Sequence, residues 1–286
     1  MDMTFDKNNW SREVTLLRPT VLTEAIFENL TPPDPRKPWI PETLLPLFGG
    51  VSFEKLSGEQ RLRYNHSYAR QLVAEFIWLE RFLIRAPLLR LLNSSNLDKD
   101  ILLILCSFVA DETNHIASFE ILEEKAAAAE SPPVFDSSRL FSPPILLRRL
   151  AALAARLPLH LTFWSDVIIP LEEKAIKIGQ LYMRDESVDP SFREVFVSHA
   201  RDEARHCRLD NLFSTWLHSI AGNRQARINK RLELIFQRAY YSNKWGLEGP
   251  IDELIQAFPE IADQREAMMA ETTTLRTDAM AGAQNP

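Results

Sequence analysis

The sequence predicts an all-α protein, a four-helix bundle core with additional helices, on three observations. Only 8 of 286 residues are glycine while Leu, Ala, Glu and Arg abound, a bias toward helix and away from sheets with tight turns. Most of the 18 prolines gather in two joints, 31–46 and 131–144. The stretches between and after those joints carry helical patterning and are long enough for four core helices.

Taken in order, the chain divides as one domain over 1–286. An N-terminal helix and proline-rich arm occupy 1–57, where Pro32, Pro33, Pro35, Pro38, Pro41 and Pro46 forbid a regular helix and predict an extended arm wrapping a surface. The core covers 58–221. Its first helix is expected from Gly58 to Leu92, kinked or broken near Pro87, and its second from Leu97 to Ala129. The third is expected from Ile145 to Arg184, bent near Pro158 and Pro170, and the fourth from Ser191 to Ala221, with Asp189 as N-cap and Pro190 at the first helical position. Accessory helices at Arg224–Asn243 and Pro250–Phe258 fall within 222–272. The tail at 273–286 has little to bury and is expected to fray.

Composition excludes several classes. With 33 Lys+Arg against 39 Asp+Glu the net charge is −6, unsuited to general nucleic-acid binding. Cys106 and Cys207 lie in helical stretches, which predicts no disulfide framework and a reducing cytoplasm. The N-terminus lacks a basic segment followed by an apolar run, so no secretory signal is expected. Of the longest apolar stretches, Ile101–Ala110 is too short for a bilayer and Ala151–Leu171 contains Arg156, Pro158, His160 and Asp166, so no membrane span is expected.

The strongest chemical signal is a duplicated motif. Asp111-Glu112-Thr113-Asn114-His115 lies on the second core helix and Asp202-Glu203-Ala204-Arg205-His206 on the fourth, both reading D-E-x-x-H. Glu and His at i and i+3 share a helix face, so each motif offers a carboxylate and an imidazole to one point, and two such helices face to face make a two-metal site. With 39 acids and 6 histidines in 286 positions, chance supplies on the order of a few hundredths of a match, against two found. A solvated helix face is the bland alternative, and the apolar run Ile101–Ala110 leading into the first motif opposes it.

A two-metal carboxylate site needs one more glutamate from each of the other helices. On the third, Glu172 has apolar neighbours at Ile168, Ile169, Ala175 and Ile176, and is preferred over Glu173. On the first, Glu80 sits among Phe76, Ile77, Leu83 and Ile84, with Glu75 as the alternative. His199 precedes Glu203 by four residues and falls on the same stripe as Glu203 and His206, which makes it a further ligand candidate. Phe76, Phe108, Phe163, Trp164 and Phe196 lie close enough in sequence to wall a substrate pocket.

Together, Glu112-x-x-His115, Glu172 and above all His199-x3-Glu203-x2-His206 resemble the para-aminobenzoate N-oxygenase family, ferritin-like di-iron proteins with an extra histidine on the last core helix. Ile77-Trp78-Leu79-Glu80 also resembles the family's first-helix ligand segment, in favour of Glu80. The similarity runs from about Trp39 to Phe213. The resemblance implies two iron ions held by Glu80, Glu112, His115, Glu172, His199, Glu203 and His206. One ion would take Glu80, His115 and Glu112, the other Glu172, His199, His206 and Glu203, while Asp111 and Asp202 would orient histidines from behind. It implies an oxidoreductase of secondary metabolism, a monooxygenase that uses O2 and an external electron donor, a protein or a chemical reductant. The substrate would be a small-molecule amine, an arylamine foremost, free or bound to a carrier protein, oxidised to hydroxylamine, nitroso or nitro product. By analogy the protein would be a cytoplasmic homodimer, and the competing reading on the same scaffold is a di-iron hydroxylase or desaturase acting on a C–H bond.

Overall fold

A computed structural model describes residues 30–93, 97–130, 137–220, 222–241 and 246–273, and among them there is no strand. The expected N-terminal helix before residue 30 and the tail beyond residue 273 lie outside the described residues. After a short helix α1 (Val51–Lys55), the first core helix α2 (Gly58–Trp78) opens on a capping box in which Ser57 and Gln60 satisfy each other's backbone amides. It continues through a π-helical segment (Leu79–Arg85) into α3 (Ala86–Leu92). The remaining core helices are α4 (Lys99–Ala129), α7 (Phe163–Arg184) and α8 (Pro190–Ile220). Around them pack α5 (Ser137–Leu140), α6 (Ile145–Arg156), α9 (Asn223–Tyr241) and α10 (Glu248–Ala257).

Two helix boundaries differ from expectation. Pro87 does not break the first core helix: it sits near the start of α3, and the distortion lies upstream, where the widened π ladder over Leu79–Arg85 carries Glu80. The stretch expected as one bent helix from Ile145 to Arg184 is two helices, α6 and α7, separated at residues 157–162. Pro158 falls in that break, whereas Pro170 stays inside α7. Beyond α10, residues 265–273 form a short helix in which Met268 and Met269 are buried and Glu271 accepts the Val51 and Ser52 amides at the start of α1.

The arm is core as much as wrapping. Trp39 and Ile40 are fully buried, and both their amides donate to Asn65 Oδ1 on α2, at 2.7 and 3.2 Å, while Asn65 donates back to the Ile40 carbonyl. Trp39 stacks on His66 at 3.9 Å and on Phe192 of α8 at 5.2 Å. Asp189 caps α8 by accepting the Ser191 amide, and its other oxygen accepts the Asp34 amide from the arm. One carboxylate thus ends a helix and anchors the strap that crosses it.

The apolar core falls into two halves. One half contains Phe76, Phe119, Ala175 and Phe196, the other Leu79, Phe108, Leu171 and Leu209. On α4, α7 and α8 the residues between these levels include the buried acids and imidazoles, and on the first core helix Glu80 follows Leu79, so a polar layer crosses the bundle where the two halves meet. At the far end of the first half, Arg70 is buried against Glu123 and Glu130 of the α4 region, and Arg63 pairs with Glu253 of α10. α4 is long and apolar enough to cross a membrane, but half of that apolar stretch is buried in the bundle, and the helix carries the first D-E-x-x-H motif.

α7 and α8 are in close contact at Gly179, where an added Cβ would lie 2.2 Å from Ala200 Cβ and 2.8 Å from the Phe196 carbonyl. Gly179→Ala is therefore expected to lower unfolding free energy by about 1–3 kcal/mol in urea denaturation, through separation of these two helices. A second outcome concerns His66, whose ring donates toward the Lys37 carbonyl at 2.8 Å. Burial holds its pKa down to about 4, against the opposing pull of that carbonyl. An unfolded imidazole protonates near 6.5, so between those values the unfolded chain gains a proton that the folded chain refuses, and stability falls as pH drops. From pH 7 to pH 5 the His66 contribution to that loss is about 2 kcal/mol, and unfolding curves of His66→Gln should show a correspondingly smaller pH dependence.

Candidate metal centre

Each core helix delivers its acid to the polar layer by helical spacing. Glu80 comes from the π segment, Glu112 and His115 from α4, Glu172 from α7, and His199, Glu203 and His206 from α8; all seven are buried. The ligating atoms of Glu80, His115, His199 and Glu203 lie within 4.8 Å of one another, as do those of Glu112, His115, Glu203 and His206. His199 Nε2 stands 2.8 Å from Glu80 and 2.9 Å from Glu203, and His206 Nδ1 stands 3.1 Å from Glu112. Glu203 sits between the two groups, 3.3 Å from His115 Nδ1. His199 is thus beside Glu80, whereas the resemblance groups it with Glu172 and His206; Glu203 is its neighbour in either grouping.

These short contacts are not aligned as hydrogen bonds. Both oxygens of Glu80, Glu112 and Glu172, Nδ1 of His115 and His206, and both ring nitrogens of His199 have no hydrogen-bond partner although they are buried. Three carboxylates and three imidazoles make up the two groups, and Glu172, outside both, is buried near Asp210 and Glu203; with it, four carboxylates would supply the negative charge that neutralises two divalent ions.

The electrostatics express the same demand for positive charge. Burial raises Glu80 to about 7 despite the imidazole of His199 beside it. Burial, then the charges of Asp210 and Glu203, hold Glu172 well above the usual carboxylate range. Burial disfavours a charged His199, but Glu203 and Glu80 outweigh it and push the ring up to about 10. The carboxylates beside His199 and His206 favour protons on those two rings. Metal binding would displace those protons.

Behind the layer the two motifs are cross-connected. Asp202 of the second motif accepts from His115 Nε2 of the first at 3.3 Å, and Asp111 of the first accepts from His206 Nε2 of the second at 3.3 Å. Each aspartate thereby fixes the tautomer in which the other motif's Nδ1 turns its lone pair inward. Arg205 joins the pairs, 2.8 Å from Asp111 and 3.4 Å from Asp202.

The two first-helix candidates have different partners. Glu75 points elsewhere, accepting from Lys174, Gln71 and the Tyr240 hydroxyl, while Glu80 lies in the layer. Of the aromatic candidates, Phe76 lies edge-on to His199 with ring centres 5.2 Å apart, Phe108 packs at 4.4 Å on His206, and Phe196 reaches the layer only through Phe76 and Phe119. Phe163 and Trp164 do not wall the site: they pack on Phe236 and Phe213. They occupy the first turn of α7, more than two turns and roughly 12 Å before Glu172.

Two neighbours escaped the sequence reading. Asp210 is fully buried, and burial raises its carboxyl to about 7 although the contact with Glu172 beside it and the His206 imidazole oppose the shift. It continues the stripe 199, 203, 206 by one further turn, a signal present in the sequence. Phe119, edge-on to His199 at 5.0 Å, is one turn beyond His115 on α4.

A bundle with an E-x-x-H pair on each of two helices and one glutamate from each of the others is the arrangement of the ferritin-like di-metal carboxylate proteins. The chain matches the family of the p-aminobenzoate N-oxygenase AurF over residues 28–240, most of its length, and belongs to that family. The family is one of di-iron N-oxygenases, and the protein is accordingly an enzyme. No curated protein matches the chain.

The cross-connections give a measurable outcome. Asp202→Ala and Asp111→Ala should each weaken divalent-metal affinity by about ten- to a hundredfold in chelator competition, because His115 and His206 lose the acceptors that orient them.

Proposed function

We propose that the protein is an O2-dependent di-iron N-oxygenase that oxidises an amine, an arylamine foremost, to hydroxylamine, nitroso or nitro product in secondary metabolism. The observation that carries this reading is the set of unpartnered buried donors on Glu80, Glu112, His115, Glu172, His199, Glu203 and His206, in a chain of the N-oxygenase family. Two iron ions held by these seven side chains would supply the activation of O2, with electrons from an external donor. His199 is the residue beyond the six-ligand set of two E-x-x-H pairs and two glutamates.

The chain's own residues would do three things. Asp111, Asp202 and Arg205 hold the imidazoles in one tautomer and orientation. Phe76, Phe108 and Phe119 close the layer against water above and below. A cavity of about 20 Å³, enough for one water-sized molecule, borders Glu80, Glu172, His199 and Glu203, on the side where the reacting nitrogen would approach. We further propose that the enzyme works in the cytoplasm as a homodimer on a free or carrier-bound amine.

Anaerobic loading with Fe(II), followed by metal analysis and by product analysis with O2 and arylamines, tests the reading. About two irons per chain and oxidation at nitrogen are expected. Glu112→Ala, Glu203→Ala and His206→Ala should each lose bound iron and activity together, while iron bound with oxidation only at carbon would establish the C–H hydroxylase or desaturase instead.

A further inference from the structure

Charge is segregated onto two of the helices that pack around the bundle. α6 and α9 together hold eight Arg and Lys and one acid, Glu233, in a chain whose net charge is −6. Glu233 is buried and accepts from Lys230, so neither helix exposes an acid. Each helix buries one face, with Leu147, Leu150 and Ala154 on α6 and Asn229, Phe236 and Tyr240 on α9. α6 packs on the π segment and α9 on α7, the elements that bring Glu80 and Glu172 to the cavity.

The outer face mixes cations with aliphatic side chains at helical spacing. On α9, Arg224, Ile228, Arg231, Ile235 and Arg238 alternate along one exposed stripe. On α6, Leu146, Arg149 and Leu153 follow another, which continues to Leu157 at the helix end, with Arg148 and Arg156 beside it. Half of the large apolar side chains exposed among the described residues stand on this face. Among the described residues no carboxylate pairs with Arg148, Arg149, Arg156, Arg224 or Arg231. Cations of one sign set among aliphatic side chains select the occupant. Protein interfaces gain specificity by placing like as well as opposite charges, and so use both signs. A lipid surface of uniform negative charge favours a face with no acid on it, and exposed Leu and Ile bury in its headgroup boundary. A second copy in a two-fold contact would set these arginines against themselves.

We propose that the outer face of α6 and α9 seats the protein on an anionic membrane surface, with its leucines and isoleucines in the headgroup boundary and its arginines on lipid phosphates. The contact is adsorption and not a span, because both helices keep their inner faces packed on the bundle. The rest of the chain is acidic in balance and is repelled by the same surface, which orients the molecule. The proposal is independent of the reaction at the metal centre.

The test is co-sedimentation of the iron-loaded full chain with vesicles of phosphatidylcholine alone and of phosphatidylcholine mixed with phosphatidylglycerol at about two to one. Binding to the anionic vesicles should exceed binding to the neutral ones by about tenfold or more, and should fall as salt is raised. Arg149→Gln with Arg231→Gln should weaken it by about tenfold or more. Leu153→Ser with Ile235→Ser should weaken it by about fivefold or more. All four side chains are exposed, so the thermal midpoint and iron content should stay at wild-type values, and Arg148→Gln with Arg224→Gln repeats the charge test at neighbouring positions. Equal binding to both vesicles, none included, overturns the proposal, as do arginine variants that bind like the wild type. Loss with the arginine pairs but not with the aliphatic pair also overturns it, in favour of an acidic protein on this face. A wild-type dimer that the aliphatic pair turns into a monomer overturns it in favour of a second copy.

Discussion

Four glutamates, three histidines and an aspartate are buried where the two core halves of a helical bundle meet, and their charge has to be neutralised there. An isolated carboxylate in an apolar interior is costly enough that it protonates or finds a counter-charge. The elevated values at Glu80, Glu172 and Asp210, and the imidazoles driven toward their charged forms, are the two responses available to the polypeptide alone. Neither response satisfies the lone pairs. They converge on positions that divalent metal would fill, and the chain's membership of a di-iron family accounts for the arrangement.

The scaffold is organised to hold that layer still. Below and above it the core is apolar and aromatic, so the ligating groups are clamped between two packed halves. The Asp202–His115 and Asp111–His206 pairs tie α4 to α8 across the bundle, and Arg205 ties the pairs to each other. Gly179 lets α7 approach α8, and the arm, through Asn65 and Asp189, fastens α2 to the start of α8. The exception to regular geometry, the π segment after Trp78, lies where Glu80 enters the layer and where the cavity opens. Such local widening changes the direction of one side chain without ending the helix.

The same layout divides the interior chemically. The cavity is lined by apolar side chains and by the acids and His199 of the layer. A cavity walled this way presents apolar surface to a ligand's body and acceptors to its reacting end, the polarity suited to an amine nitrogen. The apolar run of α4 belongs to this architecture as well: its mean hydropathy reflects a helix packed against three others, with Asp111, Glu112 and His115 on its inner face.

The sequence by itself determined what depends on one helix at a time. Spacing at i, i+3 and i+4 places Glu112 with His115, and His199 with Glu203 and His206, wherever the helices go, and Asp189 with Pro190 marks a helix start through its own backbone amides. Asp210 was within reach of the same argument, one turn farther along that stripe. Tertiary structure alone decided what depends on two helices meeting. It set which aspartate serves which histidine, that Glu75 turns to Lys174 and Tyr240 while Glu80 turns inward, and that Phe163 and Trp164 pack on Phe213 and Phe236 instead of the site. It also decided that Pro87 follows a π segment and that the chain breaks at Pro158 and not at Pro170. The reason is physical: helical periodicity fixes the angle of a side chain about its own axis, but rotation and height relative to a neighbouring helix come from packing between sequences far apart in the chain.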